Sequence, residues 1–104
     1  MSDAKPFVIW VTFEIKPGTF DEFHKAALED AHDSVANEPG CLEFNVLLPA
    51  SGTDRLSLFE VYTDRKAFET HCTMPHFHKF GAVVDRVSTG KNATEWSLAA
   101  GNSK

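Results

Sequence analysis

The stretch Cys41-Leu42-Glu43-Phe44-Asn45-Val46-Leu47-Leu48, Pro49-Ala50-Ser51-Gly52-Thr53-Asp54, Arg55-Leu56-Ser57-Leu58-Phe59-Glu60-Val61-Tyr62 decides the fold. Two runs rich in β-branched, leucine and aromatic residues flank six residues of turn-forming type, the pattern of an antiparallel hairpin. Placing Leu48 opposite Arg55 puts Phe44 opposite Phe59, with Leu42 and Val46 on the same apolar side. Glu43, Asn45, Leu47, Leu56, Leu58, Glu60 and Tyr62 then share the other side, because side chains alternate along a strand.

Upstream, Phe7 to Ile15 reads as a first strand, apolar on both faces and stopped by Lys16-Pro17-Gly18. Thr19 or Asp21 can cap a helix whose positions Phe20, Phe23, Ala27, Leu28, Ala31 and Val35 follow the 3.6-residue period, and Glu38-Pro39-Gly40 ends it. Downstream, Asp64 is placed to cap a helix from Arg65 to Cys72 with Ala67, Phe68 and His71 on one face. Pro75 opens another helix through Phe77, Phe80, Val83, Val84 and Val87. Ser88 to Asn92 reads as a polar loop, Thr94 to Leu98 as a last strand, and 99–104 as a frayed tail.

Strand, helix, strand, strand, helix, strand predicts a ferredoxin-like α+β sandwich: an antiparallel sheet with helices on one face. One helical layer buries one side of the first strand only. The other side calls for a second copy of the sheet, hence a homodimer.

The 104 residues, 42% of them hydrophobic, suffice for one core, read as a single domain over 1–104 with its packed part at about 7–98. A net charge of −5 with scattered basic residues argues against nucleic acid as a partner. The N-terminus lacks a signal-peptide pattern and no apolar run has membrane-spanning length, so no membrane partner is expected and the location is read as cytoplasmic. Cys41 and Cys72 read as reduced packing thiols; Cys72 adjoins His71 in sequence, yet helix neighbours diverge by about 100°, so adjacency makes no catalytic dyad. No G-x-G-x-x-G, phosphate loop or G-x-S-x-G is present to support a nucleotide cofactor or serine hydrolysis.

In the hairpin register above, Glu43 and Glu60 are neighbours, and close or buried carboxyls raise each other's pKa towards neutrality. His71 ends one helix and His76 opens the next, both placed for proton transfer near working pH. His32, near Leu28 and Val35, is placed to reach the same cavity, whereas His24 and His78 are not read as functional and His78 reads as a surface residue. Phe77 and Phe80 can wall a flat aromatic pocket. The histidine spacings match no usual metal pattern, so no metal is expected.

The segments Glu38-Pro39-Gly40-Cys41-Leu42-Glu43-Phe44, Phe59-Glu60-Val61-Tyr62-Thr63-Asp64, Ala67-Phe68-Glu69-Thr70-His71 and Pro75-His76-Phe77, in this order, resemble the antibiotic biosynthesis monooxygenase domain family. That family includes quinol monooxygenases and an isomerase of a phosphorylated autoinducer dione, and the resemblance spans about Val8 to Gly90. It implies a dimeric α+β barrel and oxidation of a phenol or quinol by O₂ with no metal, flavin or other cofactor. It further implies His71 or Glu60 as base, with Asn45, Tyr62 and His76 hydrogen-bonding the substrate beside Phe77.

The isomerase branch resembles the chain at Glu60, His71, His76, Phe77 and His32, but the chain has Asn45 where that branch implies Asp. Lys79, Arg86 and Lys91 are its candidate phosphate ligands. The haem-degrading branch implies a Trp at His71 and an axial His at Gly81, and neither is present. A non-catalytic ligand-binding domain is the third reading.

Overall fold

β1 (Phe7–Ile15) is the strand on which the sheet is assembled, flanked on one side by β3 (Arg55–Tyr62) and on the other by β4 (Ser88–Ser97). With β2 (Cys41–Leu47) on the outer edge of β3, the antiparallel order is β2-β3-β1-β4. The structure is a computed structural model that describes residues 5–104. Helices α1 (Phe20–Asn37), α2 (Arg65–His71) and α3 (Pro75–Val87) complete the ferredoxin-like α+β fold expected from the element order.

Register shows why the core sits on one side. Val11 pairs with Leu58 and Phe13 with Leu56, and these side chains are buried with Ile9, Ile15, Phe23 and Phe80 beneath the helices. Phe13, Phe23 and Phe80 meet mutually with ring centroids 5.3–5.8 Å apart, joining the sheet to α1 and α3. The opposite face carries Trp10 and Trp96, 45% and 57% exposed, beside Phe59, whose ring is 5.6 Å from that of Trp10.

The expected cap forms on α2 and not on α1. Asp64 accepts from the backbone N–H of Ala67 at 2.8 Å, while Thr19 precedes α1 without capping it and instead donates its hydroxyl to Lys16 O. Pro75 occupies the first turn of α3, where its missing N–H costs nothing.

Three sequence expectations are corrected. The hairpin is shifted by one residue: Phe44 faces Glu60 and Asn45 faces Phe59, with an irregularity between Cys41 and Glu43. A one-residue slip exchanges faces, so Glu43 and Asn45 lie on the outer face, away from Glu60, and the expected pair of neighbouring carboxyls does not form. Leu48, used to set that register, lies beyond β2, and Leu47 pairs with Ser57.

The buried stripe of α1 is Phe23, Ala27, Asp30 and Ser34, whereas Leu28 and Val35 are half exposed. Rotation about the helix axis brings two polar residues to the interior. Finally, 88–92 is no loop: β4 follows α3 directly and pairs with β1 from Ser88, since polar Ser88, Lys91 and Asn92 are acceptable on an exposed edge strand.

Candidate active site

Glu60 on β3 faces the helices because it is two residues from Leu58, and its carboxyl is 5% exposed. Tyr62, two further along and fully buried, donates its hydroxyl to Glu60 Oε1 at 2.5 Å. Burial pushes the Glu60 carboxyl up to about 8, opposed by the Tyr62 hydrogen bond and reinforced by Asp30 and Glu38. The group is therefore predominantly a neutral acid at pH 7. Burial, followed by the charge Glu60 carries once it ionises, also raises the tyrosine, which remains a phenol.

His71 closes α2 and is 2% exposed. Its ring is enclosed by Phe44, Tyr62, Phe68 and Phe77, with centroids 5.2–6.3 Å away. Desolvation in this aromatic box holds the imidazole below its ordinary pKa, although the Glu38 carboxylate works in the other direction. Nδ1 donates to Glu38 Oε2 at 2.8 Å; Nε2 lies 3.9 Å from Glu60 Oε1. The Nδ1–H tautomer leaves the Nε2 lone pair available on the Glu60 side.

Glu38 also accepts from His76 Nε2 at 2.5 Å. This buried carboxylate directly after α1 is the site residue that sequence reasoning passed over, having read Glu38-Pro39-Gly40 as a helix stop and as part of a segment of family resemblance. Its local signal was an acidic residue at the point where the backbone turns into the sheet. Gly40 permits that turn to approach α2: a Cβ there would stand 2.6 Å from Ala67 Cβ.

Glu38, His71 and His76 present ligand-type atoms within 4.8 Å of one another, so they are the described residues able to surround a divalent ion. Ligands held at about 2.1 Å from one ion stand roughly 3 Å or more apart. The observed 2.5 and 2.8 Å separations are hydrogen-bond lengths. The trio is organised as a proton-bearing network, and its fully buried side-chain polar atoms are all hydrogen-bonded.

A cavity of about 220 Å³ lies between sheet and helices, walled by Ile9, Val11 and Leu58 on one side and Phe68, Phe77 and Phe80 on the other. Glu60, His71, Asp30, Cys72 and Lys91 supply its polar surface. Phe13, Phe77, Phe80 and Lys91 also line an outer groove of about 430 Å³ between α3 and β4, continuous in lining with the cavity. A mostly apolar hollow with convergent titratable groups suits a small, flat organic ligand.

Of the candidates read from sequence, Glu60, His71 and Phe77 meet at this cavity. Tyr62 supports Glu60 from behind, and His76 reaches the network through Glu38 while lining a shallow outer hollow. Asn45 points away, donating to Phe59 O at 3.1 Å on the outer face. His32 lies on exposed α1 surface against Asp33 and does not reach the cavity, since its stripe is the one rotated outward. Of the three candidate phosphate ligands, Lys79 pairs with Glu29 and Arg86 with Glu22, leaving only Lys91 in the cavity wall. Asp30, absent from the sequence reading, is a further cavity residue.

No helix among the described residues is long and apolar enough to cross a membrane. The chain is similar in structure to an antibiotic biosynthesis monooxygenase candidate of Nitrosomonas europaea, with a TM-score of 0.87 at 21% identity and 95% of each chain covered. It is likewise similar to Rv0793 of Mycobacterium tuberculosis, with a TM-score of 0.83, 23% identity and coverage of 94% of this chain and 99% of that one. At such identities the likeness speaks for the fold alone. A curated relative, the uncharacterized protein sll1783 of Synechocystis, is 28% identical over 75 residues, 72% of this chain; the match spans half of that longer protein. The family model for antibiotic biosynthesis monooxygenases matches residues 6–83, and the chain therefore belongs to that family.

Proposed function

We propose that the protein is a cofactor-independent monooxygenase that oxidises a phenolic or quinol substrate with O₂, using the Glu60–His71 pair to generate the substrate anion. The observation that carries this reading is the Glu38–His71 hydrogen bond at 2.8 Å, which orients His71 with its second nitrogen towards Glu60 and the cavity. An imidazole kept neutral by burial is ready to take a proton.

His71 Nε2 removes the substrate hydroxyl proton, and the Glu38 carboxylate stabilises the imidazolium formed. Glu60, carrying its own proton near neutral pH, donates a hydrogen bond to the oxygen just ionised. At 3.9 Å the two groups titrate as a pair, so the pH profile belongs to both. Electron density on the substrate anion then reduces O₂. For a phenol with an oxidisable ring methylene the balance is R₂CH₂ + O₂ → R₂CO + H₂O, with all four electrons coming from the substrate.

The apolar walls exclude competing water. The exposed Trp10 and Trp96 on the outer sheet face support a homodimer, formed by burying that face against a second copy.

Oxygen uptake with a panel of reduced quinols and polycyclic phenols tests the function. His71→Ala and Glu60→Gln are expected to lower kcat/KM by about 10²–10⁴-fold. Undiminished uptake in both variants would remove the pair from the chemistry. Isomerisation of a phosphorylated dione is the second reading, supported by Lys91 in the cavity wall as a partner for the anionic group. Turnover of such a dione without oxygen consumption would select it.

A further inference from the structure

Asp30 is 3% exposed on the buried stripe of α1, at a position where the 3.6-residue period continues Phe23 and Ala27. An aspartate there contributes no apolar packing, and a buried carboxyl with too few partners is costly. Among the described residues its carboxyl has one hydrogen-bond partner, the Ser34 hydroxyl, at a stretched 3.3 Å; that hydroxyl is better directed to Asp30 O at 2.6 Å. Asp30 lines the cavity from the α1 side and also borders a smaller hollow of about 60 Å³ beside His76, whereas Glu60 stands on the sheet. A carboxyl so placed has capacity left for a partner within the hollow.

Resting on the phenol reading above, we propose that Asp30 hydrogen-bonds a second substrate oxygen, so that the substrate class is a flat molecule with oxygens on two separate edges. One edge oxygen loses its proton to the Glu60–His71 pair. Where the far oxygen is a conjugated carbonyl, the electron pair spreads through the ring to it, and the protonated Asp30 carboxyl meets it with its O–H. No bond other than the first O–H breaks. Such a donor stabilises charge where it develops, and the apolar walls strengthen the effect. A molecule with one oxygen leaves Asp30 unpaired and is disfavoured.

Burial pushes the Asp30 carboxyl up to about 7, opposed by the His76 charge and by the Ser34 hydrogen bond, and assisted by Glu38 and Asp33. Glu60 and Lys91 also face the same space. The donor is thus present in a substantial fraction at neutral pH and is lost above it.

The test uses 4-nitrophenol, whose phenolate charge spreads to nitro oxygens on the far edge, and 4-ethylphenol, which lacks them. Binding is followed by absorbance or calorimetry for wild type, Asp30→Asn and Asp30→Leu. Asp30→Leu is expected to weaken 4-nitrophenol about 10-fold or more, the loss of one hydrogen bond to a charged group, and to leave 4-ethylphenol within about twofold. Asp30→Asn keeps a donor and stays close to wild type at pH 6. The ratio of wild-type to Asn affinity then falls as the pH rises through about 7. Equal weakening of both ligands by Asp30→Leu, or of neither, would overturn the assignment while the phenol reading stands. Failure of both phenols to bind wild type would sink both.

Discussion

Glu38 Oε2 lies 2.8 Å from Nδ1 of His71, and the same oxygen receives Nε2 of His76, so one carboxylate after α1 ties together the end of α2 and the start of α3. This bond sets both the tautomer and the orientation of His71. Replacing Glu38 by Ala leaves a buried ring N–H without its acceptor. We expect a stability loss of about 1–3 kcal/mol, read from urea midpoints. Turnover of whichever phenol wild type oxidises should fall by about 10²-fold, as when a general base loses its orienting group. Glu38→Ala with unchanged kcat would show that His71 needs no orienting partner.

Gly40→Ala tests the same junction through packing. The new Cβ would meet Ala67 Cβ at 2.6 Å and Thr63 Oγ1 at 3.3 Å, forcing the turn away from α2 and Glu38 away from His71. A destabilisation of about 1–3 kcal/mol is expected. Gly81→Ala in α3 has open space around its Cβ and should instead raise the thermal midpoint, by up to about 1 kcal/mol of stability. Differential scanning of the two variants side by side checks both signs.

Stability should depend on pH through the buried acids. Glu60 and Asp30 have folded-state values raised to about 8 and about 7, so the native state holds protons that the unfolded chain has released. Their contribution is complete below the ordinary carboxyl range and is lost as the pH climbs through the folded values. His71, lowered by burial, acts oppositely and costs stability as the pH falls below its ordinary value of 6.5. Between pH 6.5 and 8 the acids dominate, and the urea midpoint should fall. The slope should flatten in Glu60→Gln and flatten partly in Asp30→Asn; equal slopes in all three proteins would contradict the placement of these protons.

The outer sheet face gives an association test. Trp10 and Trp96 lie on that face half exposed, and their burial against a second copy predicts a particle of twice the 11.5 kDa protomer mass in light scattering. Trp10→Lys with Trp96→Lys should shift the species towards protomers without changing the far-UV spectrum. A wild type that runs as a protomer at high concentration would remove the dimer from the proposal.

The element order was legible because its signals are local. The β-branched and aromatic run from Phe7 to Ile15, the cap at Asp64 and the break at Pro75 are all set by residues within a few positions of each other. Local also was the placing of His71 on the inner face of a short helix with Ala67 and Phe68. Hairpin register was not, because the loop between β2 and β3 leaves their relative slide undetermined, and one residue exchanged the faces of Asn45 and Glu43. Likewise α1 carries two overlapping apolar stripes, and only contact with Phe13 and Phe80 selects the one containing Phe23 and Asp30.

By itself, then, the sequence determined the succession of strands and helices through spacing along the chain, and through its resemblance to a family the candidacy of Glu60 and His71. Tertiary structure alone decided that Glu38, 33 residues before His71, is its hydrogen-bond partner, that Asp30 faces the cavity, and that Asn45 and His32 do not. The physical reason is that face selection and side-chain pairing depend on how helices rotate and strands slide against one another. Those choices are settled by packing between residues far apart in sequence.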